Sequence, residues 1–178
     1  ALSRYNLPVP PPYKEVVAAK ETTVRLDQTS SSYNVCLLDH NQASQMTEGV
    51  DTKRIVGIID HHAIQDGAVV TDKPVWIDIR PWGSACTIIA HCFIRESRHP
   101  TREVAGMLLC GILSDTLNLQ SPTTTDTDRL VVAVLAKLAE EPDVNVLAKA
   151  LFKAKSEALD DMTAQQLCVG DRKRFKIG

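Results

Sequence analysis

The chain is short of the features that would assign it quickly. It has no basic excess: Lys and Arg total 20 against 22 Asp and Glu, a net charge of −2 over 178 residues. General nucleic-acid binders usually show a basic face, so no nucleic-acid partner is expected. Polar residues break every apolar run well short of a bilayer span, so no membrane partner is expected either. The five cysteines, Cys36, Cys86, Cys92, Cys110 and Cys168, are odd in number, scattered and without a CxxC pair. They read as small buried thiols in a reducing, cytoplasmic compartment rather than as a zinc site or disulfide framework. Aromatics make up only 4% of the chain, which leaves Val, Ile, Leu and Ala to build the core. No internal repeat or low-complexity segment stands out.

What is there has the size of one α/β domain, with at most a fragment of a second. The chain opens at "ALSRYN" without methionine and closes at "GDRKRFKIG", where a strand looks to be starting; both ends read as cuts through a longer protein. "LPVPPPY" (7–13) cannot donate to a hydrogen-bond ladder, and "KEVVAAKETTVRL" (14–26) is a weak helix candidate. "YNVCLLDHNQ" (33–42) and "RIVGIIDHH" (54–62) are apolar runs that end in polar clusters, the pattern of central parallel strands. "KPVWIDIRPWG" (73–83) reads as a third strand stopped by Pro81 and Gly83. Residues 84–97 have helical length with Ser84 as cap, and 101–116 form a stretch so apolar that it predicts a buried helix. An amphipathic helix that stops by Pro142 follows, and "DVNVLAKALFKAK" predicts one more.

Ligands of open parallel sheets sit beyond the carboxyl ends of the strands, where Asp39 and the run Asp60-His61-His62 both fall. Asp115, at the end of the buried helix, is a third candidate. Carboxylates shared between two cations hold them at the spacing used in phosphoryl chemistry, and mixed carboxylate and imidazole ligation suits Mn²⁺ or Co²⁺ better than Mg²⁺. Plainer readings stand beside this one. Asp39 can cap a turn, the paired histidines can be surface loop residues, and Asp115 can end its helix, although a carboxylate there opposes the macrodipole and favours a nearby cation. His40 reads as a supporting residue, and His91 and His99 as helix-surface residues.

Taken together, "LLDHNQ", "IIDHH", "GSACTIIAH" and "GILSDTLNLQSPTTTDTD" resemble, in order and spacing, the DHH phosphoesterase superfamily, in its pyrophosphatase and exopolyphosphatase branch. The resemblance covers nearly the whole chain and is closest to the manganese-dependent family II inorganic pyrophosphatases. It implies an α/β, parallel-sheet DHH domain with flanking helices over residues 1–155, lacking its first strand. Residues 156–178 would then be a linker and the beginning of a DHHA2-type second domain. It implies that Asp39 bridges two divalent ions (Mn²⁺ first, with Co²⁺ or Mg²⁺ as alternatives) and that His61 and Asp115 are further metal ligands. His62 would touch the bound phosphate and assist proton transfer, and Asp60 would complete the catalytic set by orienting the histidines. The N-terminal amides at Ser84 to Thr87 are a weaker anion site than a plain helix cap.

The departures are as informative. The family's "GHxNPDxD"-type motif is absent, and so is the Ser-Arg-Lys motif of its second domain. Gln165 stands where relatives place a phosphate-binding lysine. "IVGIIDHH" and "MTAQQLCVG" look closer to eukaryotic exopolyphosphatases, and "SPTTTDTD" to pyrophosphatases. The expected activity of the longer parent is metal-dependent hydrolysis of pyrophosphate. The alternatives are an exopolyphosphatase acting on longer polyphosphate, or an inactive DHH binding or scaffold module. The resemblance admits a homodimer. The isolated chain, short of ligands and clamp, is expected to be inactive.

Overall fold

In the computed structural model, residues 1–17, 33–160 and 162–169 are described. Three parallel strands, β1 (Val35–Leu38), β2 (Ile55–Asp60) and β3 (Trp76–Ile79), lie side by side in the order β1-β2-β3. Five helices follow: α1 (Ala85–Arg95), α2 (Arg102–Asp115), α3 (Asp126–Leu138), α4 (Val144–Asp160) and α5 (Ala164–Val169). The two strands with matching polar endings are neighbours, with Leu37 opposite Ile58 and Leu38 opposite Ile59. Because parallel strands share a direction, their polar ends share one edge of the sheet.

The main core belongs to the helices. α2 is its axis: Ala105, Leu108, Leu109, Ile112 and Leu113 are buried against Ala90 of α1, Val131 and Leu135 of α3 and Leu147 of α4. An apolar helix of this kind must be covered over most of its circumference, and this one is, with Val104, Met107, Gly111 and Ser114 forming a partly buried stripe. Tyr5, from a 3₁₀ turn at Ser3–Tyr5, lies so close over Gly106 that a Cβ there would overlap its ring. Its hydroxyl donates to Glu141, which also takes two hydrogen bonds from Arg4 at 2.8 and 2.9 Å. A smaller apolar cluster of Leu37, Ile55 and Ile58, with Met46 and Val69, steadies the sheet.

The helix starts follow from their caps. Ser84 accepts from the Cys86 amide and Thr101 from the Val104 amide, and Thr125 and Asp128 form a reciprocal capping box. The helix ends hold a surprise for so glycine-poor a chain. α1, α2 and α3 each close with paired Schellman hydrogen bonds, such as Arg98 N to Phe93 O at 2.9 Å with Ser97 N to Ile94 O at 3.0 Å. The left-handed residues at these closures are Ser97, Leu117 and Glu140, with φ of 52°, 50° and 56°.

Some expectations shift. The third strand is shorter than residues 73–83, and α4 runs unbroken through residue 155 to Asp160, because "KSEALD" contains no helix breaker. The candidate helix at 14–26 shows a helical turn over 13–17, with 18–26 outside the described residues. In the terminal segment "CVGDRKRFKIG", Cys168 and Val169 belong to a helix, and residues 170–178 lie outside the description. Cys110 is a buried free thiol and Cys86 and Cys92 are partly covered, but Cys36 is exposed, on the opposite face of β1 from buried Leu37. Among the described residues no helix is long and apolar enough to cross a membrane.

The Schellman closures generate a direct test. Ser97→Gly removes a left-handed penalty of about 1 kcal/mol and should raise the urea midpoint without changing the slope. A lower midpoint would mean that the Ser97 side chain contributes more than its backbone costs.

Candidate metal centre

The site begins where the β1–β2 ladder ends. Asp39 N donates to Ile59 O at 2.9 Å, one rung beyond β1. Asp39 itself sits at φ 65°, in the left-handed region that aspartate tolerates better than most residues. The carboxylate comes to lie 3.2 Å from His61 Nε2. Asp39, His61 and His62 each offer a ligand atom within 4.8 Å of the others.

Asp60 holds this cluster in place. It is the last residue of β2 and 0% exposed, so each unmet lone pair would carry a desolvation cost. One carboxylate oxygen accepts from the His61 amide (2.7 Å), the His62 amide (3.2 Å) and His62 Nδ1 (2.8 Å). The other accepts from Asn41 Nδ2 at 2.6 Å. Burial pushes the carboxyl pKa up, but the hydrogen bonds from the His62 ring and the two amides outweigh it and hold the group below its usual range. Asp60 therefore stays ionised, and His62 is pinned by Nδ1 with Nε2 turned away from the anchor.

His61 is held from the opposite side. Its Nδ1 lies 2.9 Å from the Trp82 carbonyl, an acceptor only, so Nδ1 carries the proton. A neutral ring would then aim its Nε2 lone pair at the Asp39 carboxylate, a repulsive arrangement unless a cation sits there. The hydrogen bond with Asp39 raises the His61 pKa against the opposing effect of burial, with the Trp82 carbonyl and Asp115 adding to the rise. Asp115, the last residue of α2, is exposed at the surface beside the site; partial desolvation raises its pKa, and the negative charge of Asp39 adds to that. Its Oδ2 accepts from Ser84 Oγ at 2.6 Å. Two carboxylates facing one imidazole demand positive charge, and that donor set fits a divalent cation of the manganese or cobalt type. Asp39, His61 and His62 are the residues placed closely enough to hold it.

The structure brings Asp39, His61 and His62 together and places Asp115 within their electrostatic reach, outside the close trio. Ser84 is both a helix cap and the partner of Asp115. Asn41 was not singled out from sequence. It is 4% exposed and clasps Asp60 together with the carbonyls of His62 and Ala63, at 3.5 and 3.4 Å. The available signal was its place two residues after Asp39, beyond a strand end. His40 turns its Nδ1 to the Leu38 carbonyl at 2.9 Å, a local structural contact. His91 is half-buried against the Trp82 ring rather than on the helix surface, and His99 lies in the loop after α1.

A parallel sheet with an Asp-His-His cluster at its carboxyl edge, backed by helices, defines an α/β domain suited to cation-assisted chemistry. Residues 4–112 match the model of the DHH family, N-terminal domain, and the chain belongs to that family. It is 39% identical over 144 residues to a probable manganese-dependent inorganic pyrophosphatase of Thermotoga maritima, covering 81% of this chain and 26% of the relative. To a protein of the same description from Clostridium acetobutylicum it is 33% identical over 153 residues, covering 86% and 48%. The chain thus spans between about a quarter and a half of the length of these curated relatives. A solved structure from Methanococcus jannaschii, assigned to the family II inorganic pyrophosphatases, superposes with a TM-score of 0.74 at 24% identity. It covers 93% of this chain and 51% of that one, and the fold is shared.

The Asp60 network predicts its own failure. Asp60→Ala strands several buried donors and should cost about 3 kcal/mol or more in urea unfolding at pH 7. With Asp60 depressed in the folded state, its stabilisation is present above the unfolded value near pH 4 and is lost as pH falls through the lower folded value. The gap between wild type and Asp60→Asn should therefore close in acid. A gap that widened on acidification would contradict an ionised Asp60.

Proposed function

We propose that this chain is the metal-carrying part of a divalent-cation-dependent hydrolase of inorganic pyrophosphate. The observation that carries the reading is the Asp39-His61-His62 cluster at the carboxyl edge of the sheet, in a chain 39% identical over 144 residues to a probable manganese-dependent inorganic pyrophosphatase. In this reading Asp39, His61 and Asp115 hold two divalent ions, Mn²⁺ before Co²⁺ or Mg²⁺. When bound, the ions supply a water of lowered pKa and neutralise phosphoryl charge.

The remaining steps fall to side chains. Pinned through Nδ1 to Asp60, His62 presents Nε2 to the substrate, where a proton can be held for the leaving phosphate oxygen. Its side chain is 44% exposed, open enough to meet a bound anion. Asp60 remains ionised and keeps that ring in a single tautomer. His61 keeps its proton on Nδ1, so its Nε2 is committed to the cation and takes no part in proton transfer. The rest of the substrate clamp would come from outside this chain, which by itself should release no phosphate above background.

In the longer parent protein, Asp39→Asn should abolish pyrophosphate turnover and metal retention together. His62→Gln should lower kcat about 10²-fold or more with metal content kept. Near-normal activity and metal content in Asp39→Asn would defeat the assignment, and preferential cleavage of long polyphosphate would redirect the substrate to the exopolyphosphatase class. Mn²⁺ binding to the chain alone, read by calorimetry, should weaken as pH falls. The proton competes for His61, whose raised pKa extends that competition upward in pH, by about tenfold in affinity per pH unit below it.

A further inference from the structure

The peptide between Trp82 and Gly83 makes two hydrogen bonds in opposite directions. Its carbonyl oxygen faces His61 Nδ1 at 2.9 Å. Its N–H, on Gly83, donates to Asp128 Oδ2 at 2.9 Å. Asp128 is 0% exposed and is charged by design of its surroundings: Thr87 Oγ1 donates to one oxygen at 2.6 Å, and the Thr125 amide and hydroxyl donate to the other at 2.7 and 2.6 Å. A fixed carboxylate polarises the amide it accepts from, which strengthens the carbonyl at the other end as an acceptor. Gly83 is required for this approach, since a Cβ there would lie 2.7 Å from Thr116 Cγ2 and 2.9 Å from the carboxylate.

The Trp82 ring fixes the other degree of freedom. It meets the His91 ring of α1 edge-on at 5.2 Å and 71°, and the Arg80 guanidinium lies 5.6 Å from its centroid. Arg80 is tied to the buried carboxylate of Asp78 on β3, and Trp82 N returns to Arg80 O at 2.8 Å in a tight turn. The peptide plane is therefore gripped by β3, by α1 and by the first turn of α3. Among the described residues, their hydrogen-bonded link to the Asp39-His61-His62 cluster runs through the Trp82 carbonyl, with Arg80 N donating to Asp60 O at 3.2 Å beside it.

We propose that Asp128 and Trp82 are positioning residues for His61: through the Trp82–Gly83 peptide they lock the imidazole as the Nδ1-protonated tautomer with Nε2 open to a divalent cation. Partners of this kind, one contact removed from a metal, typically change affinity 10- to 100-fold. The inference deepens the metal reading above and rests on it for its affinity consequence, though not for the tautomer.

The test uses the chain labelled with ¹⁵N-histidine, together with Mn²⁺ calorimetry. In the metal-free wild type above the His61 pKa, the ¹⁵N pattern should show His61 protonated at Nδ1. Protonation at Nε2 overturns the proposal without any variant. Trp82→Leu should give a mixed tautomer and an Mn²⁺ Kd raised about tenfold, with Trp82→Phe restoring both. Asp128→Asn, which keeps an acceptor but loses the charge, should fall between. If Trp82→Leu does not fold, the Trp82→Phe and Asp128→Asn comparison decides on the same two readouts. Unchanged tautomer and affinity in folded variants overturn the proposal. A wild type with the expected tautomer that binds no Mn²⁺ overturns the metal reading instead.

Discussion

A carboxylate sealed at the end of a strand must have its lone pairs met, and Asp60 meets that demand in a way that builds the site. Its partners come from the β1–β2 connection through Asn41 and from the turn beyond β2 through the His61 and His62 amides and the His62 ring. Removing that charge would leave donors from two chain segments unpaired in a place that water does not reach. The register of β1 on β2, the course of the chain after Asp60 and the orientation of His62 all depend on one buried anion.

Asp128 works in the same manner on the helical side. It closes the capping box of α3, receives Thr87 from α1 and holds the Gly83 amide. His61 stands between these two anchored regions. Its backbone amide belongs to the Asp60 network and its ring to the Trp82 carbonyl. Around its Nε2, 3.2 Å from Asp39, the carboxylates of Asp39 and Asp115 accumulate negative charge that a proton or a divalent cation relieves. The negative charge is arranged by the fold ahead of the ion, so a bound cation requires little rearrangement.

Much of this was legible in the chain because hydrophobic periodicity and polar strand endings are local signals. The pairing of β1 with β2 follows from two apolar runs with like endings, and the buried character of α2 from its lack of a polar face. Asp39, Asp60, His61, His62 and Asp115 were all visible as chemistry-bearing residues at element ends. Other features had no local signal. Ser97, Leu117 and Glu140 adopt the left-handed conformation because tertiary packing of the helices outweighs a modest backbone cost. A reading that looks for glycine at helix ends passes over all three.

The amino-acid sequence by itself determined the run of three strands followed by helices, the sheet edge at which polar groups collect, and the residue types able to hold a cation there. Those properties depend on periodicity and side-chain chemistry, which a linear pattern carries. Only the tertiary structure decided that Asn41 clasps Asp60, that His91 packs on Trp82, and that Asp128, 67 residues along the chain from His61, reaches it through one peptide group. Such contacts depend on where distant segments meet, and the packing of α1, α2 and α3 sets that meeting to within a hydrogen-bond length.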